Sequence, residues 1–66
     1  MIENVDQLRV TMQQMDRVIR AIDDLKSTIL PRDPGLFATL AEAPLEDLDR
    51  LRIEISGYVG ELKPSA

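Results

Sequence analysis

Cysteine, histidine and tryptophan are all missing from this sequence of 66 residues. Without cysteine there is no disulfide staple, thiol nucleophile or thiolate metal site, and without histidine no imidazole ligand or histidine-based acid–base device. Aromatic residues are reduced to Phe37 and Tyr58, too few to line a cofactor pocket. No apolar run approaches the ~18 residues needed to span a bilayer. The opening, with Glu3, Asn4 and Asp6, has neither the positive start nor the apolar core of a signal peptide, so a cytoplasmic location is expected and no membrane partner. Positive charge is thin as well: eight Lys and Arg stand against twelve Asp and Glu, and the cations lie singly or in opposed pairs. Direct nucleic-acid binding, which needs a concentrated positive surface, is not expected.

Aliphatic residues and methionine are abundant, and their order carries the information. Between residues 5 and 30, Val5, Leu8, Met12, Met15, Ile19, Ile22 and Ile29 recur at steps of three and four, with the last step doubled. Residues so spaced stack on one face of an α-helix, so the spacing predicts a helix over 5–30. Val5, Met12 and Ile19 form one row, Leu8, Met15, Ile22 and Ile29 the other, and Lys26 interrupts the first. Lys26 either lays its methylenes on the core and reaches water or is a buried, register-setting charge. Val18 and Leu25 widen the stripe beyond a two-stranded seam, which suits packing against more than one helix. Met12 and Met15 read as core filler or as a pliable binding surface.

The ends of this helix are marked. Asn4 is an N-cap candidate, with Gln7 placed to reach back in a capping box. Pro31 disfavours helical backbone at Leu30, and Asp33-Pro34 has the form of a second N-cap followed by a first-turn proline. Leu36, Phe37, Leu40 and Ala41 fall on one face of a short helix over 34–43. At Pro44 the chain either starts another helix or kinks a continuous one. A helix over 44–62 follows, with Leu48, Leu51, Ile55, Tyr58 and Leu62 in the same three-and-four rhythm, and 63–66 reads as a frayed tail. Gly57 and Gly60 each weaken that helix by up to about 1 kcal/mol. They mark either an exposed face near its end or a place where another helix comes close.

Length decides how the arms pair. The first helix should be about 39 Å long and 45–62 only about 27 Å, but an arm counted from Pro34 nearly matches the first. Leu36, Phe37 and Leu40 are therefore expected to cover the Ile22, Leu25 and Ile29 end. The result is one all-α domain, an antiparallel helical hairpin with a proline-kinked second arm. A lone hairpin leaves half of each wide stripe wet, so a homodimer or homotetramer is expected, closing into a four-helix bundle. Its interface residues are expected to be Leu8, Met12, Met15, Ile19, Ile22, Leu48, Leu51 and Ile55. A helix from a different protein would serve equally well physically.

Chemistry is harder to find. The carboxylate pairs Asp23-Asp24 and Glu46-Asp47 fall outside the apolar rows, with no cleft to drive two pKa values apart. Glu54 and Glu61 lack the histidine three residues on that helical di-metal sites use. Ser27, Ser56 and Ser65 have no base to activate them, and neither Pro34-Gly35 nor Gly57-Tyr58-Val59-Gly60 follows a strand as a phosphate loop does. No enzyme activity, metal or cofactor is expected. Charge is uneven: 5–30 holds four acids and four bases, 33–62 seven acids and two bases. The second arm would attract a basic protein partner, or simply keeps a small bundle soluble.

Two segments carry a resemblance. Ile2, Asn4, Gln7 and Thr11, and then Leu48, Leu51, Glu54, Ile55 and Tyr58, resemble the opening and closing helices of short bacterial proteins found beside, or fused ahead of, helix-turn-helix regulators of the toxin–antitoxin class. The resemblance implies an all-helical accessory or dimerisation module linked to such a regulator. After Tyr58 only eight residues remain, too few for a DNA-reading helix-turn-helix, so DNA binding is not carried over. The expected function is a non-catalytic protein–protein interaction or oligomerisation module. The alternatives are a structural homo-oligomer without a specific partner and a small antitoxin masking a basic toxin surface.

Overall fold

A computed structural model describes residues 2–63. They form two α-helices, α1 (Val5–Thr28) and α2 (Pro34–Leu62), folded against each other as an antiparallel hairpin. Asn4 caps α1 in extended backbone conformation, its side-chain oxygen accepting the Gln7 N–H at 2.9 Å. Gln7 reaches back one residue further than a capping box requires, its Oε1 accepting the Glu3 N–H at 2.6 Å. That contact draws the lead-in against the bundle, where Ile2 is buried beside the C-terminal part of α2.

α1 ends at Thr28, two residues short of the expected 5–30. Ile29 is its C-cap, and the N–H groups of both Ile29 and Leu30 point to the Leu25 carbonyl, at 2.8 and 3.3 Å. This widening of the last turn is the local effect of Pro31, whose ring disfavours helical backbone at Leu30. The chain reverses over 29–33, the Arg32 and Asp33 N–H groups both donating to the Ile29 carbonyl. No described residue has a left-handed backbone, so the turn needs no glycine. Asp33 then caps α2, its Oδ1 accepting the Leu36 N–H at 3.0 Å, with Pro34 in the first turn where a missing N–H is harmless.

The segments expected at 34–43 and 44–62 are a single helix, so Pro44 sits inside α2 and starts nothing. It removes one donor from the ladder, the one that would have reached the Leu40 carbonyl. Of the tail expected at 63–66, Lys63 is exposed and the rest lies outside the described residues.

The hairpin closes along two matching rows. On α1 these are Leu8, Thr11, Met15, Val18, Ile22 and Leu25, continued by Ile29; on α2, Phe37, Ala41, Pro44, Leu48, Leu51, Ile55 and Tyr58. All are buried or half-buried, and each row alternates strictly between three and four residues, the repeat that keeps one seam facing a partner helix. Phe37 alone of the three residues expected to cover the turn end lies in the seam. Leu36 and Leu40 stay 43% exposed, and Ala41, at 2%, takes the close position instead. Thr11 is buried with its hydroxyl satisfied by the Gln7 carbonyl at 2.9 Å. No ion pair joins the helices among the described residues; every one, such as Arg20–Asp16 at 3.1 Å, lies within a single helix and is exposed. Apolar contact along the seam is what holds the arms together.

Candidate interaction surface

The eight residues expected at an interface between chains divide into two sets. Leu8, Met15, Ile22, Leu48, Leu51 and Ile55 are seam residues and pack within the hairpin. Met12 and Ile19 are turned outward, 52% and 46% exposed. Val5 belongs with them, seven residues before Met12, and Lys26 continues the row seven residues after Ile19. Lys26 is exposed, its Nζ 3.5 Å from Asp23 Oδ1, so the reading as a buried charge is set aside.

Met12, Ile19 and Lys26 each follow directly on a seam residue: Thr11, Val18 and Leu25. The corresponding positions on α2 are Ala38, Leu45, Arg52 and Val59, which follow Phe37, Pro44, Leu51 and Tyr58. In an antiparallel pair, reversal of one helix brings these like positions to the same side of the seam. One flank of the hairpin therefore carries Val5, Met12, Ile19, Leu45 and Val59, each at least 42% exposed. The opposite flank, built from positions preceding seam residues, holds Gln7, Gln14, Ala21 and Thr28 against Leu40, Asp47, Glu54 and Glu61. That side is polar and acidic. The apolar flank was hard to see in sequence because Leu45 and Val59 join no local stripe; their spacing of two heptads gains meaning once the seam is fixed.

At the Val5–Met12 end of this flank the outer surface of α1 leaves an open, shallow hollow of about 650 Å³, lined by α1 alone. Its apolar lining is Val5, Leu8 and Met12, and Arg9, Arg17 and Arg20 stand around it with Gln13 and Asp16. An open hollow of this kind suits the apolar ridge of another helix better than a small ligand, which needs an enclosed pocket. A second, smaller hollow of about 320 Å³ lies where Ile2 meets Ile53, Gly57 and Tyr58. Among the described residues no group of three or more acids is placed to hold a metal ion, and no helix is long and apolar enough to cross a membrane.

The burial pattern has one further feature. Among the described residues no large side chain is wholly removed from solvent, and the buried apolar ones are Ile2, Ala41, Leu51 and Tyr58. A polar centre is equally lacking, for no described side-chain N or O atom is both buried and without a hydrogen-bond partner. Comparison with protein-family models, with curated proteins and with solved structures found no match to this chain.

Proposed function

We propose that this chain is a non-catalytic protein–protein interaction module that works by laying its apolar flank against another helical surface. The observation that carries this reading is the row of Val5, Met12, Ile19, Leu45 and Val59 on one side of a hairpin whose other flank is polar. Scattered exposed apolar residues are ordinary on any protein, but aligned ones on adjoining helices are the mark of a binding face. The resemblance to accessory proteins of helix-turn-helix regulators agrees with an assembly role in a bacterial cell.

In-cell crosslinking followed by mass determination tests the reading. One discrete crosslinked species of defined stoichiometry is expected with the native sequence and should be lost with Ile19→Asp. A chain that remains uncrosslinked, or crosslinks unchanged after the substitution, would overturn it.

A second reading has its own observation. The outer side of α2 exposes Glu42, Glu46 and Asp49, and 33–62 carries seven acids against two bases. Such a surface attracts basic proteins and, in an antitoxin, would mask a basic toxin surface. Glu46→Lys with Asp49→Lys should abolish that interaction while leaving an apolar-flank interaction in place, as read by the same crosslinking.

A further inference from the structure

We infer that the occupant of the apolar flank is a second copy of this chain. This rests on the interaction-module reading and names its partner. Two observations select a second copy.

The first is area. A monomeric globular protein of 7.4 kDa is expected to expose about 4,200 Å², whereas this chain exposes 5245 Å². Its shape accounts for the difference: a rod of 50 × 21 × 16 Å with a radius of gyration of 15.1 Å, against about 11 Å for a compact chain of this length. The excess of about 1,000 Å² is close to the ~800 Å² that each partner buries in a standard interface. One further hairpin of the same length covers such a flank from end to end.

The second is that the flank itself holds no acid. Its polar members are Lys26 and Arg52, near opposite ends of the row and long enough to carry their charge to the rim. The other flank would place Asp47, Glu54 and Glu61 in any self-interface and is thereby disfavoured.

Sedimentation equilibrium on the intact chain, with helicity followed by circular dichroism, tests this. The wild type is expected to be dimeric at tens of micromolar. Ile19→Asp and Leu45→Asp should each weaken the dimer at least tenfold. Val10→Asp and Ile53→Asp, at apolar sites at least as exposed but off this flank, should change it less than threefold. Where an aspartate variant loses helicity, Ile19→Cys carries the test: its thiol should be protected from a maleimide at tens of micromolar protein and react on dilution, whereas a Val10→Cys thiol should react alike at both concentrations. A helical monomer at a hundred micromolar would overturn the second copy, as would equal sensitivity at Val10. An Ile19→Cys thiol that reacts alike at both concentrations would overturn it too. A different protein crosslinked through this flank to a chain that is monomeric alone would refute the second copy yet leave the interaction module standing.

Discussion

Single residues set the ends of the helices and, in two places, weaken them. Asn4 and Asp33 each satisfy one of the backbone donors that a helix start leaves without a partner, a contribution of about 1 kcal/mol apiece. Gly57 and Gly60 act in the other direction. A Cβ built at either position meets nothing within 4 Å, so within the hairpin neither glycine is needed for close approach. Gly57→Ala and Gly60→Ala are expected to stabilise the chain by up to about 1 kcal/mol each through helix propensity. In a domain this small that is a rise of roughly 4–8 °C in Tm per kcal/mol. Thermal melts at fixed protein concentration measure it, and a fall in Tm at either site would mean that a neighbouring chain packs there, on the side away from the proposed interface.

At the scale of the element, α2 is the compromised helix. Pro44 is half-buried in the seam and takes one hydrogen bond out of a helix of 29 residues. A proline in a helix interior costs on the order of 3 kcal/mol relative to alanine. Some of that is offset by the contact its ring makes with α1, so Pro44→Ala should give a net gain of about 1–2 kcal/mol. Urea unfolding would report it as a higher midpoint at unchanged slope. A loss of stability instead would show that the shape of α2 at Pro44 is required for the seam to close. α1 has no such interruption: no Pro or Gly falls between Val5 and Thr28, and its exposed ion pairs add only tenths of a kcal/mol each.

Taken whole, the molecule is a thin rod with a seam but little interior. A domain of this size commonly relies on metals, disulfides or oligomerisation, and cysteine is absent. Anything that binds the folded state and not the unfolded one raises apparent stability by mass action. If a second copy covers the apolar flank, Tm should climb as protein concentration is raised from about 1 to 100 micromolar, and Ile19→Asp should remove the dependence. Calorimetry at the two concentrations measures this. A concentration-independent Tm for the wild type would place any partner outside the chain itself.

The sequence alone determined the helices, because the signals that start and stop them are local. Asn4, Pro31 and Asp33-Pro34 act within a turn of where they stand, and the three-and-four rhythm needs no partner to be recognised. It also determined that two arms of nearly equal length must pair as an antiparallel hairpin. At Pro44 local signals stopped short: they allowed a break or a continuous helix, and packing of Ala41, Pro44 and Leu48 along one seam settled on the latter.

What only the tertiary structure decided is which half of the wide α1 stripe faces α2. Leu8, Met15, Ile22 and Ile29 belong to either half. Their companions are Val5, Met12, Ile19 and Lys26 on one side, or Thr11, Val18 and Leu25 on the other, and by hydrophobicity in sequence the first set looked the better core. Choosing it would bury the Lys26 ammonium, which has no partner inside a seam without acids, whereas choosing the second buries only the Thr11 hydroxyl. A helix satisfies that hydroxyl from its own ladder, here through the Gln7 carbonyl, at far smaller cost than burial of an unpaired charge. The seam therefore closed on Thr11, Val18 and Leu25, and Met12 and Ile19 were left facing outward.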